Sequence, residues 1–282
     1  MQYVIAAAML AALALTVPAA AAVVESRVEL SVDAKDQKGQ PVRHKIPVAV
    51  FRDTAAVAQP FLILNHGRAP TAADREAMGR ARYSENARYF ASFGYAVFVP
   101  TRIGYGVAGG PDIEDTGACQ TKNYPPGYEA GAQQSLQLIE YAKTQAYVDP
   151  TRGLVVGQSF GGTLAITLAA KRIPGVLGAV NFAGGGGGNP KTQPGKPCRP
   201  DLLEKMFASY GATSRVPTLW LYSENDQYMG NVHPRRWFEA FKAKGGKGEF
   251  VPLPAHGEDG HGSFTSNPAA WRPAFEKFLK GL

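Results

Sequence analysis

Three stretches of the chain carry residue types that could cut an acyl bond. "VVGQSFGGT" sets Ser159 in a Gly-x-Ser-x-Gly pattern between Gly157 and Gly161. A serine hydroxyl is a poor nucleophile until a base takes its proton, and that base in turn needs a carboxylate to orient it. "PTLWLYSENDQY" offers Glu224 and Asp226 as the acid, and "PAHGEDGHGSF" offers His256 and His261 as the base. The histidine stretch could instead be read as a metal site. Helical zinc motifs, however, place two histidines four apart on one face, whereas these are five apart in a glycine-rich loop with no third ligand motif. We therefore expect no metal and no cofactor. A serine that merely capped a helix would need neither flanking glycine.

These residues must be carried by particular elements. Ahead of Ser159, "GLVVGQS" reads as a buried strand, and "FGGTLAITLAAK" reads as a helix that follows at once. So sharp a strand-to-helix turn tolerates only small neighbours, lifts the hydroxyl out of the sheet, and aims a helix N-terminus at the reacting carbonyl. The same alternation runs through the whole chain. "SRVELSV" and "HKIPVAVF" suggest an opening antiparallel hairpin; "FLILNHG", "YAVFVPT", "VLGAVNFAG", "PTLWLYS" and "GEFVPLP" read as short buried strands. Helices are predicted near Tyr83–Phe93, Gly127–Ala146, Asp201–Tyr210 and His233–Lys244. A last helix is expected to be capped by Asn267, to begin at Pro268 and to carry a Trp271, Phe275, Phe278, Leu279, Leu282 stripe. Short apolar strands alternating with helices predict an α/β fold, with a mostly parallel central sheet of about eight strands and helices on both faces.

Two connections are long for such a fold, Arg102 to about Pro126 and Gly184 to Pro200. Both follow strands, so both emerge at the carboxyl edge of the sheet, where open α/β sheets bind ligands. Each holds one of the two cysteines, so a Cys119–Cys198 bridge would staple the loops beside the crevice; two separate buried thiols are the other reading. The glycine run in the second loop lacks the Gly-Lys-Ser/Thr ending of a phosphate loop. Tyr105, in the first loop, reads as loop packing, and more weakly as a wall of the acyl or alcohol pocket.

The chain's 282 residues suffice for one large domain, and its formal charge of +7 is scattered, with no basic run, RNA-binding aromatic motif or zinc-finger spacing. No nucleic-acid partner is expected. "MQYVIAAAMLAALALTVPAAAAVVES" carries no charged side chain before Glu25 and resembles a secretory signal cleaved near Ala20 to Ala22. The expected organisation is a signal peptide over 1–22 and a single domain over 23–282. The compartment would be secreted or periplasmic, with no membrane attachment after cleavage. The apolar stretch is short for a retained membrane span.

"LNHG", "GQSFGG", "YSENDQY" and "GHGSF", in that order from about Phe61 onward, resemble the α/β-hydrolase fold and, within it, the dienelactone-hydrolase-like esterases. The resemblance implies the order serine, acid, histidine. Ser223 stands where the resembling families have the glycine of Gly-x-x-Asp, which implies Asp226 as the acid; "GHGSF" implies His261 as the base. It further implies an oxyanion hole built from the N–H of Phe160 and that of Arg68, the residue after His-Gly, whose cationic side chain could also guide an anionic group. Dienelactone hydrolases proper use a cysteine nucleophile where this chain has Ser159, so dienelactone itself is not implied as the substrate. The implied function is hydrolysis of small-molecule or polymeric carboxylic esters through a Ser-His-Asp triad. The alternatives are a prolyl-oligopeptidase-type peptidase, a polyester or plant-wall ester depolymerase, and a non-catalytic binding protein on the same scaffold.

Overall fold

The computed structural model describes residues 23–282, so the predicted leader over 1–22 lies outside the described residues. The strands are β1 (Val23–Lys35), β2 (Pro41–Asp53), β3 (Gln59–Asn65), β4 (Ala96–Pro100), β5 (Val148–Gln158), β6 (Val176–Phe182), β7 (Thr218–Ser223) and β8 (Gly248–Leu253). The helices are α1 (Ala72–Glu76), α2 (Ser84–Ala91), α3 (Tyr124–Lys143), α4 (Phe160–Ala169), α5 (Pro200–Thr213), α6 (His233–Ala243), α7 (Ser263–Ser266) and α8 (Pro268–Lys280). The strands form one sheet in the order β1-β2-β4-β3-β5-β6-β7-β8. The β1–β2 and β2–β4 pairs are antiparallel and the rest are parallel. This is the α/β-hydrolase architecture.

Both faces of the sheet are covered, and the strand sequences show why. Successive side chains of a strand point to opposite faces. In β4, Ala96 and Phe98 join one core with residues of α3 to α6, while Val97 and Val99 join the other with residues of α2 and α8. In β5, Val155 goes to the first core and Leu154 and Val156 to the second. A strand buried on both faces must be apolar at every position, which is how these runs read.

The departures from expectation are local. α3 begins at Tyr124 rather than near Gly127, because Pro125 and Pro126 fit the first helical turn, where no intrahelical N–H bond is needed. Asn267 stands at the N-cap position of α8, but its side chain makes no capping hydrogen bond. Instead, the carbonyl of Phe264 accepts from Trp271 Nε1 at 3.1 Å and from Asn86 Nδ2 at 2.7 Å, tying the start of α8 to α2.

The long loops are joined by a Cys119–Cys198 disulfide spanning 79 residues of sequence. Among the described residues no helix is long and apolar enough to cross a membrane. Closing a loop of that length removes unfolded-state entropy worth about 4.5 kcal/mol on the chain-entropy model, an upper figure. Replacing both cysteines with serine is expected to lower the unfolding free energy, read from urea titrations, by an amount approaching that value; an unchanged free energy would refute a stabilising staple.

Candidate functional site

The register of the sheet brings the chemical residues to one edge. Asn65 at the end of β3 pairs with Gly157, and Gln158 at the end of β5 pairs with Phe182. Phe182 pairs in turn with Leu221, and Ser223 with Leu253. The turns after β3, β5, β7 and β8 therefore emerge side by side.

Ser159 occupies the turn between β5 and α4 with φ 58° and ψ −124°. Its N–H donates to Phe182 O at 2.8 Å, and its carbonyl accepts from Gly162 N at 2.8 Å. A Cβ on Gly157 would stand 2.0 Å from Gly161 O, and one on Gly161 would stand 2.2 Å from Asn65 O. Both flanking positions are thus glycine because backbone passes against backbone.

Ser159 Oγ lies 2.9 Å from His261 Nε2, and His261 Nδ1 lies 2.9 Å from Asp226 Oδ2. Asp226 Oδ1 accepts from the N–H groups of Tyr228 and Met229, each at 2.8 Å. A carboxylate so engaged can only accept, so Nδ1 carries the imidazole proton and Nε2 is left to accept from the serine hydroxyl. Tyr228 stacks on the imidazole at a centroid distance of 4.1 Å. Asp259 is the brace of this loop: its Oδ1 accepts from His261 N and from Gln227 N, both at 2.9 Å. Gln158 Nε2 donates to His261 O at 3.2 Å, and the Ser223 and Ser263 hydroxyls meet at 2.8 Å. His256 is not part of the cluster; its N–H donates to Asn225 Oδ1 at 3.0 Å. Glu224 is exposed.

Two concavities flank Ser159. One, of about 320 Å³, is lined by Phe160, Lys122, the Gly185–Gly188 run and the disulfide. The other, of about 240 Å³, is lined by His66, Met78, Tyr83, Gln158 and His261. Arg68, Ala69, Ser159 and Tyr228 border both. The turn carrying Arg68 abuts the serine, since a Cβ on Gly67 would lie 3.0 Å from Ser159 Cβ. The Phe160 N–H is one of the orphan donors of the first helical turn. Arg68 and Phe160 therefore border the same cavity mouth as the hydroxyl.

The side chain of Arg68 does not point a bare charge at that mouth. It forms a two-pronged pair with Asp112, both contacts at 2.6 Å, and Arg75 adds a third contact to Asp112 at 2.8 Å. Burial works against both charges. The pairing overcomes it, raising the Arg68 pKa above the ordinary guanidinium range and holding the Asp112 carboxyl below its own. The expectation that Arg68 would guide an anion is corrected on that ground. Tyr105 is also corrected as a pocket residue: it is fully buried. Its hydroxyl donates to Glu114 Oε2 at 2.7 Å and accepts from Arg68 Nη1 at 3.2 Å. Loop packing is its role.

Behind these residues is a pair that the sequence reading did not single out. Arg102 and Glu114 are wholly buried and joined at 2.6 and 3.1 Å. Arg102 Nη1 donates to His66 O at 2.9 Å, and the Arg102 N–H donates to His66 Nε2 at 3.1 Å. His66 Nδ1 lies 2.7 Å from Gly67 O, which can only accept. His66 is thus a neutral imidazole with its proton on Nδ1, locking the turn that carries Gly67 and Arg68. An arginine immediately after the apolar run "YAVFVPT" was the available signal.

The family model described as the dienelactone hydrolase family matches residues 75–278. No curated protein matches the chain. A protein of Klebsiella pneumoniae subsp. pneumoniae MGH 78578, provisionally named a dienelactone hydrolase, is similar with TM-score 0.58 and 17% identity over 90% of this chain and 98% of that one. The acetyl xylan esterase of Paenibacillus sp. R4 has TM-score 0.61 and 15% identity over 95% and 86% of the two chains. The acylaminoacyl peptidase of Pyrococcus horikoshii has TM-score 0.60 and 13% identity over 90% of this chain but 41% of that one. At such identities these likenesses show the fold.

Burial, reinforced by the nearby Arg102 charge and opposed by the Gly67 carbonyl, lowers the His66 pKa well below the usual histidine value. The unfolded chain then binds a proton that the folded one refuses. The stabilisation is complete above about pH 6.5 and is lost as pH falls toward the folded pKa, by up to about 1.4 kcal/mol per unit. Urea midpoints between pH 7.5 and 5 are expected to fall more steeply for wild type than for His66→Asn; equal slopes would refute the assignment.

Proposed function

The chain belongs to the dienelactone hydrolase family, and on that premise we propose that it is a serine hydrolase of carboxylic esters working through an acyl-enzyme. The observation that carries this reading is the unbroken relay Ser159 Oγ, His261, Asp226, with both hydrogen bonds at 2.9 Å. Ser159 attacks the ester carbonyl while His261 Nε2 takes its proton. Asp226 holds the imidazole in the Nδ1–H tautomer and stabilises the imidazolium. The N–H groups of Phe160 and Arg68 receive the oxyanion, each worth about 2.7–4 kcal/mol in the transition state. His261 returns the proton to the departing alcohol. Water, deprotonated by the same imidazole, then attacks the acyl-enzyme and releases the acid. The steps require no metal or cofactor.

The same chemistry applied to an amide gives the peptidase reading, which the likeness to the acylaminoacyl peptidase favours. That likeness covers 41% of the peptidase chain, so the ester reading is preferred. Small-molecule and polymeric esters are both admitted by this mechanism. We also read residues 1–22 as a removable export signal and residues 23–282 as a single hydrolase domain, acting in a secreted or periplasmic setting where the disulfide persists.

Ser159→Ala and His261→Ala are each expected to lose about 10⁴-fold or more in kcat on a short p-nitrophenyl ester, while His256→Ala stays near wild type. Run beside an N-acetylalanine anilide, the assay also ranks ester against amide. Near-wild-type turnover by Ser159→Ala, or loss only with His256→Ala, would overturn the assignment. Sequencing the N-terminus of exported protein is expected to show a start just after Ala20 to Ala22; a start at Met1 would refute the signal.

A further inference from the structure

The two cavities on either side of Ser159 are not equivalent, and their difference assigns the halves of the substrate. The alcohol oxygen must take its proton from His261 as it leaves. His261 lines the cavity of about 240 Å³ and not the one of about 320 Å³. On the serine-esterase reading above, the alcohol therefore departs on the His66, Met78 and Tyr83 side. The acyl group occupies the larger cavity.

One wall of that larger cavity is bare backbone. The carbonyl of Gly185 accepts from the Tyr128 hydroxyl at 2.9 Å, and that of Gly186 lies 3.1 Å from the Tyr124 hydroxyl, whose one proton it shares with the nearer Cys198 carbonyl. The carbonyl of Gly187 accepts from Cys198 N at 3.0 Å and from Gln193 Nε2 at 3.1 Å. There is no cis peptide bond among the described residues. In a trans peptide the N–H points opposite to the carbonyl that precedes it. With the Gly185 and Gly186 carbonyls on the tyrosine side, the N–H groups of Gly186 and Gly187 are turned away from the tyrosine hydroxyls, whereas Cys198 and Gln193, which hold Gly187 O, line the cavity themselves. Neither of these two N–H groups donates to a protein acceptor among the described residues.

The facing chemistry has the same sense. Lys122 Nζ uses two of its three protons, on Thr116 Oγ1 at 3.0 Å and Gly117 O at 2.5 Å, leaving one. No Asp or Glu lines the cavity. A row of backbone N–H groups in a concave turn is an acceptor-binding surface.

We propose that this cavity selects acyl groups carrying a hydrogen-bond-accepting oxygen beyond the scissile ester, received by the Gly186 and Gly187 N–H groups and Lys122. A neutral ketone oxygen and a carboxylate share this chemistry; Lys122 adds a preference for the carboxylate. A plain alkyl chain leaves the donors unpaired and is bound less well.

The test compares kcat/KM for phenyl acetate, phenyl pentanoate, phenyl 4-oxopentanoate and the phenyl monoester of succinic acid, each divided by its own hydroxide-catalysed rate. The oxo and carboxylate esters are expected to exceed the pentanoate at least tenfold, mainly through KM. Lys122→Met is expected to erase the extra advantage of the succinate while preserving the ratio of oxopentanoate to pentanoate. Ratios below two for both oxygen-bearing esters, with phenyl acetate still cleaved in a Ser159-dependent way, overturn the inference and leave the esterase reading standing. If phenyl acetate is not cleaved at all, the esterase reading fails and the inference falls with it.

Discussion

The backbone of Ser159 is the constraint around which the rest is built. A non-glycine residue at positive φ costs on the order of 1–3 kcal/mol and persists only where its surroundings over-determine it. At Ser159 the φ is 58°, and the surroundings are specific: Phe182 O takes its N–H, Gly162 N binds its carbonyl, and two glycines let the neighbouring chain pass. None of these partners exists without the parallel pairing of β3, β5 and β6. The sheet register is thus the condition for the turn. On the proposed mechanism, the turn in turn fixes where the base, the acid and two N–H groups have to stand.

One neighbour of that turn is the turn after β3, where the ladder ends at Asn65. Residues 66–68 leave the ladder, and Asn65 O is pressed against Gly161, so no side chain fits between. The turn is instead secured from behind. Arg102 reaches His66 from the far side, Glu114 neutralises Arg102, and Tyr105 links Glu114 to Arg68 and so to Asp112. A buried ion pair is poor value in stability compared with apolar packing, because both charges leave water. Its benefit here is directional. A guanidinium supplies a planar fork of donors that a backbone carbonyl and a carboxylate can share in one geometry, which no leucine would do. The arginines and carboxylates of the first long loop thereby act on the site although none of them is in the relay.

What was legible in the sequence was whatever depends on neighbours in sequence. The central strands β3, β4, β6 and β7 showed as short apolar runs because they are buried on both faces, and the Gly-x-Ser-x-Gly turn showed because its steric demand falls on adjacent residues. The Cys119–Cys198 bridge was legible once both loops were placed at the same sheet edge. Contacts made across the fold were not. Arg102 and Glu114 are twelve residues apart in an irregular loop, and nothing in their spacing says that they meet without water. The sequence left Tyr105 open between loop packing and the pocket wall and allowed the Arg68 side chain to guide an anion; an ion-pair network absent from any local pattern holds both side chains instead. The glycine run was read by what it lacks as a phosphate loop, which left its hydrogen bonds unasked.

Those glycines show how a binding surface can arise from packing on its other side. A Cβ on Gly186 would come within 2.8 Å of the Tyr128 hydroxyl and 2.9 Å of the Tyr124 ring. The residue is therefore small because of the two tyrosines packed against it. Each tyrosine hydroxyl, being buried, needs an acceptor: Tyr128 finds Gly185 O, and Tyr124 finds Cys198 O and, farther off, Gly186 O. Carbonyls on the tyrosine side leave the Gly186 and Gly187 N–H groups on the other. The disulfide completes the arrangement, since Cys198 N holds Gly187 O while its sulfur joins the loop that carries Lys122. On the proposed mechanism, the framework common to the fold supplies the nucleophilic serine, whereas the proposed acyl wall comes from two loops whose geometry is set by buried tyrosines and one bridge. On that reading a change at Tyr124 or Cys198 acts on substrate recognition through the backbone, without touching a residue proposed to move a proton.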